Sequence, residues 1–109
     1  MTDSNTTDPS KTYFQMKPNG KSHAWSAKDF WEATKTGKGL ESPFGYLVAR
    51  YNFSRTWDHW ECHANGDELL IAIEGSMQLL LEIDGKEKSV TLAAPNSFLV
   101  PAGSSFFLN

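Results

Sequence analysis

"SMQLLLEIDGKEKSVTL", residues 76–92, decides the fold class of this chain. An apolar run and a run ending in the β-branched and aliphatic Val90, Thr91 and Leu92 flank Asp84-Gly85, a dipeptide suited to a two-residue hairpin turn because both of its positions tolerate positive φ. Leu79, Leu81 and Ile83 alternate with Gln78, Leu80 and Glu82, the two-residue period of a strand with one face against a core. The stretch reads as an antiparallel hairpin whose role is structural.

The segments around it have the same character. "FGYLVARYNF" (44–53), "TWDHWECH" (56–63) and "ELLIAIEG" (68–75) are rich in aromatic, aliphatic and β-branched residues. "ANGDE", "AAPNS" and "PAG" supply turn residues between or after the runs. Ahead of them, "SAKDFWEATKTG" (26–37) predicts one short helix: Ser26 caps it, and Ala27, Phe30, Trp31 and Thr34 recur at i, i+3, i+4 and i+7 before Gly37. Its Phe30-Trp31 face is expected to pack against a core or a dimer partner. Many short strands with hairpin turns and one peripheral helix imply an all-β chain, an antiparallel sandwich or barrel. Residues 1–12, rich in Ser, Thr, Asp and Asn, carry no hydrophobic period and read as a disordered tail. Residues 13–109 then form one domain, as the chain length favours.

Composition excludes several functions. A formal charge of −3 and a pI near 5.5 lack the basic stripe of a phosphate-backbone binder, so nucleic acid is not an expected partner. No run approaches the roughly 18 apolar residues of a membrane span, and the first residues lack the layout of a signal peptide. The chain reads as soluble and cytoplasmic, with no membrane partner. A single cysteine, Cys62, fits a reducing compartment and is expected as a small half-buried strand residue. There is no Gly-rich phosphate loop and no Ser-His-Asp set.

Chemistry concentrates in "WDHWECHANGDELL", residues 57–70. On a strand, Trp57, His59, Glu61 and His63 share one face, and Asp58, Trp60 and Cys62 share the other. Residues two apart are separated by roughly 6.5–7 Å, a span two side chains can close on one ion, whereas four apart is too far. His59 and His63 therefore cannot both serve one metal from a straight strand. The workable sets pair Glu61 with one of these histidines and add Glu68 from the next strand. One imidazole with two carboxylates suits one divalent metal of the Fe, Mn or Zn kind. The same residues can instead line a hydrated polar pocket. Trp57 and His59 are candidate pocket walls, Trp57 offering a stacking surface, and Arg50 can reach an anionic ligand or face solvent.

"HANGDELLIAIEG" followed by "PAG" resembles the cupin superfamily. His63 falls on the second histidine of that family's first motif, Glu68 follows after four residues and Gly75 after six more. Pro101 and Gly103 fill the P-x-G of the second motif. The resemblance covers roughly residues 44–106 and implies a cupin-like jelly-roll β-barrel with one short N-terminal helix, from which strands at the C-terminal end can be missing. Arg55 stands for the first motif's opening glycine, Glu61 for its first histidine, Pro95 for the second motif's glycine and Phe106 for its histidine ligand. A phenyl ring offers no donor, so the metal set implied is Glu61, His63 and Glu68, with Phe106 in the ligand pocket beside Trp57, His59 and Arg50.

The function expected is that of a cupin-type domain binding a small organic ligand, acting as a metal-dependent isomerase or oxygenase through Glu61, His63 and Glu68. The alternatives are a metal-free ligand-binding or sensor domain and an inactive, truncated cupin. Phe106, Phe107 and Leu108 are expected to form a last strand with an open apolar edge, and a homodimer through strand pairing is the expected way of covering it.

Overall fold

The structure, a computed structural model, describes residues 6–40, 43–52, 60–62 and 66–108. In chain order the elements are β1 (Thr12–Met16), β2 (Ser22–Ser26), α1 (Ala27–Thr36), β3 (Tyr46–Val48), β4 (Glu61–Cys62), β5 (Glu68–Ile71), β6 (Ser76–Ile83), β7 (Lys86–Ala93), β8 (Ser97–Val100) and β9 (Ser105–Leu108). The described residues are therefore mostly β, with antiparallel sheets and one helix, and none of the sheets closes into a barrel. No described helix is long and apolar enough to cross a membrane. The chain divides into two compact units, residues 1–53 and 54–109.

The first unit is a three-stranded sheet, ordered β2-β1-β3, with α1 packed on it. The β1–β2 hairpin had no counterpart in the sequence reading. Its turn, Lys17-Pro18-Asn19-Gly20, has Gly20 at φ 85, and Gly20 N–H donates to the Lys17 carbonyl at 3.0 Å. Tyr13 and Gln15 point from β1 into the unit and are buried. The Gln15 amide meets both of its needs there: Nε2 donates to the Phe44 carbonyl at 2.8 Å, and Oε1 accepts from Trp25 Nε1 at 3.0 Å.

Helix α1 begins and ends where its sequence signals place it. Asp29 N–H donates to Ser26 Oγ at 3.1 Å, and Gly37, at φ 76, donates its N–H to the Ala33 carbonyl at 2.7 Å. Its buried face differs from the expected one, comprising Phe30 and Ala33, while Trp31 is 43% exposed. Tyr13 explains the rotation, because its ring takes Phe30 edge-on at 5.6 Å and its hydroxyl accepts from Trp31 Nε1 at 3.2 Å. Trp31 therefore keeps its polar end paired at the rim, while Phe30 fills the interior. Strand β3 is shorter than the 44–53 run predicts, because the Arg50 N–H is taken by the Pro9 carbonyl at 3.0 Å instead of a sheet partner.

The second unit holds the hairpin predicted around Asp84-Gly85. β6 and β7 pair from Ser76↔Ala93 to Ile83↔Lys86 across Asp84 (φ 53) and Gly85 (φ 77), the two left-handed positions a two-residue turn requires. The sheet order is β4-β9-β6-β7, and β5 and β8 form a separate two-stranded ribbon. Leu79 and Leu81 from β6, Leu92 from β7, and Phe106 and Leu108 from β9 form one buried cluster with Ala72 and Val100 from the ribbon side. Ribbon and sheet thus share a single core. β9 is not the open edge expected of a last strand: it lies between β4 and β6, with Phe106 registered to both Glu61 and Leu81.

Candidate functional site

Two carboxylates border this core from opposite layers. Glu61 on β4 pairs with Phe106, whose side chain is 1% exposed, and directly opposed residues of an antiparallel pair share a face. Glu61 is accordingly half-buried on the core side, and its neighbours Trp60 and Cys62 are exposed on the other. Cys62 was expected half-buried; its place on the outer face of an edge strand leaves it open to solvent. Glu68, at the start of β5, pairs with Val100, which is 3% exposed, so its carboxylate also turns inward and its Oε2 is shut off from solvent.

The Pro101-Ala102-Gly103 turn sets the spacing of the two positions that face these carboxylates. Gly103, at φ 82, bends the chain from β8 into β9, and Ser104 N–H donates to the Pro101 carbonyl at 3.1 Å. Val100 thereby stays opposite Glu68 while Phe106 arrives opposite Glu61. Asp67 holds the turn from outside, accepting the Ala102 N–H at 2.8 Å. Sequence reasoning missed Asp67; its signal was an acidic residue just before a strand, with a Gly turn whose amides need acceptors.

No family model, curated protein or solved structure matches this chain. Of those singled out in the sequence, Trp57, His59 and His63 lie outside the described residues. Glu61 and Phe106 are brought face to face, and Glu68 borders the same core from the ribbon. Phe106 is wholly buried among aliphatic side chains.

Arg50 belongs to the first unit, where its guanidinium Nη2 reaches Asp8 Oδ1 at 3.3 Å. Asp8 is held below the usual carboxylate range chiefly by the Ser10 N–H and hydroxyl, at 2.9 and 2.7 Å, and then by the charge of Arg50. Among the described residues no three His, Cys, Asp or Glu side chains gather as a metal-ligand group. The donor chemistry of Glu61 and Glu68 is nonetheless that of a hard or borderline divalent cation, and the apolar Phe106 supplies no donor.

Proposed function

We propose that the second unit binds a small organic ligand in the manner of a cupin, its sheet and ribbon being parts of a jelly-roll arrangement, with Glu61, His63 and Glu68 holding one divalent metal ion of the Fe, Mn or Zn kind. The observation that carries this reading is the pair of inward carboxylates, Glu61 opposite Phe106 and Glu68 opposite Val100, at the border of an apolar core. Carboxylates in such a place are costly unless cations or hydrogen bonds compensate them. An ion held there supplies Lewis-acid polarisation of a substrate oxygen, which suits isomerase or oxygenase chemistry. Glu61 and Glu68 would balance its charge, and the Phe106 ring would keep water from that side.

A second reading has its own support. Phe106 stands where a third nitrogen donor would complete the family's site, and a phenyl ring there favours a metal-free binding or sensor domain in which the carboxylates hydrogen-bond the ligand. Elemental mass spectrometry of the purified chain separates the two. The metal reading expects near-stoichiometric Fe, Mn or Zn, lost in both His63→Ala and Glu68→Ala. A folded protein free of metal, with a thermal midpoint indifferent to chelator, would overturn it in favour of the metal-free domain.

A further inference from the structure

Gln15 and Ser104 are the buried polar residues among the described ones. Gln15 uses both ends of its amide, as its bonds to Phe44 and Trp25 show. Ser104, 5% exposed, donates its main-chain N–H to the Pro101 carbonyl, but its hydroxyl has no hydrogen-bond partner among the described residues. A buried hydroxyl left without a partner loses its water and gains nothing in return, so such a group calls for an occupant.

The position of Ser104 says where that occupant sits. Ser104, Phe106 and Leu108 are buried while Ser105 and Phe107 are half-buried, so Ser104 continues the inner face of β9. Phe106 is registered to Glu61, which puts Ser104 diagonally across the β4–β9 ladder from Glu61, roughly 7–8 Å away between Cα atoms. Two side chains at that separation can meet across a small molecule.

Charge and hydrogen-bonding capacity narrow its class. The second unit's described cations, Lys86 and Lys88, are exposed on β7, at the opposite side of the sheet from β4. An anion buried beside Glu61 and Ser104 would find no described cation adjacent to it, a costly arrangement. A carboxylate only accepts hydrogen bonds, whereas a serine hydroxyl also donates. A ligand that presents a hydroxyl to Glu61 and a carbonyl oxygen to Ser104 satisfies both.

We propose that Ser104 is a ligand-contact residue of the second unit, its hydroxyl hydrogen-bonding an uncharged small molecule of the hydroxy-carbonyl kind beside Glu61. This rests on the ligand-binding reading, in either its metal or its metal-free form, and assigns the choice of ligand to Ser104 as well as to the carboxylates.

NMR titration of the full chain, with and without Zn²⁺, tests it using hydroxyacetone and glycolate, a neutral and an anionic probe of the same size. Hydroxyacetone should shift the Ser104 and Glu61 amide signals and bind more tightly than glycolate. Ser104→Ala should weaken hydroxyacetone binding by about two- to tenfold, the worth of one neutral hydrogen bond, and Ser104→Thr should retain it. Zn²⁺ affinity, read by competition against a chelator, should be the same in Ser104→Ala as in the wild type. If Ser104→Ala fails to fold, Ser104→Cys, close in size and a weak donor, must show the same loss. Binding indifferent to Ser104, or tighter for glycolate, overturns the proposal. So does a chain that answers to neither probe, its hydroxyl then holding only water. Hydroxyacetone bound without Zn²⁺ retention removes the metal reading and leaves this one standing; Zn²⁺ retained without a probe response does the reverse.

Discussion

Glu61 and Phe106 face each other across the β4–β9 ladder, a carboxylate registered to a fully buried phenyl ring. The position offers a direct test of the site, because a ring of similar reach that carries nitrogen can replace the one that does not. Phe106→His should raise affinity for Zn or Mn by on the order of tenfold or more, read by competition against a chelator. Unchanged affinity would mean that Glu61 and Glu68 serve some other purpose. Phe106→Ala, by contrast, opens a cavity among Leu79, Leu81 and Leu108 and should cost about 3–5 kcal/mol in urea unfolding.

The buried amide of Gln15 joins the Trp25 indole on β2 to the Phe44 carbonyl ahead of β3. Gln15→Leu keeps the volume but strands Trp25 Nε1 and the Phe44 carbonyl. Each orphaned group costs about 1–3 kcal/mol, so the loss should exceed that of Trp25→Phe, which orphans only one side of the amide. Chemical denaturation followed by tryptophan fluorescence measures both, and equal losses would show that the Phe44 bond contributes nothing.

Two glycines at positive φ should respond differently to alanine. At Gly45, φ 91, a Cβ would run into the Met16 carbonyl, a backbone atom that cannot step aside. At Gly85, φ 77, a Cβ meets nothing. Gly85→Ala therefore carries only the left-handed strain of about 1–2 kcal/mol, and Gly45→Ala adds a clash to the same term. A larger fall in thermal midpoint for Gly85→Ala would contradict this account.

How much of this was legible beforehand followed the range of the interaction. The β6–β7 hairpin and the caps of α1 are written within a few residues, in Asp84-Gly85, Ser26 and Gly37, and all sit where the sequence places them. The burial of Trp31 was misjudged because it depends on Tyr13, far along the chain. The β1–β2 hairpin escaped notice because its five-residue strands mix Gln15, His23 and Ser22 with aromatics, leaving Pro18-Asn19-Gly20 as the main cue. For the site, strand alternation put Glu61 on the inner face and Cys62 on the other, a local matter. That β9 would enter between β4 and β6 and carry Phe106 into the core is a non-local pairing, which no short pattern encodes.

The pH response of Asp8 has a definite sign. A carboxyl whose pKa is lower folded than unfolded adds stability above the unfolded pKa and loses it as pH falls through the folded one. Asp8→Ala should therefore lower the thermal midpoint at neutral pH, and the difference should vanish in acid below the usual carboxylate range. The effect is small, because the group is exposed. Its causes can be ranked by carboxyl NMR titration. Ser10→Ala, which removes the 2.7 Å hydroxyl bond, should raise the Asp8 pKa more than Arg50→Gln, which removes a charge at 3.3 Å. The opposite order would make the ion pair, and not the local turn, the main stabiliser of the carboxylate.

Asp67 ties the start of β5 to the turn that carries the chain into β9, so it bears on Glu68 and Phe106 together. Asp67→Ala removes one charge-assisted hydrogen bond at the surface, a loss of about 1–2 kcal/mol. Its local signature is faster hydrogen exchange at the Ala102 amide, with the β6–β7 hairpin amides unaffected. If Glu61 and Glu68 share a ligand or an ion, loosening this turn should also weaken that binding, because strand placement sets the distance between the two carboxylates. Exchange that quickens at Ala102 while binding holds constant would separate the turn from the site and leave Asp67 with a purely structural role.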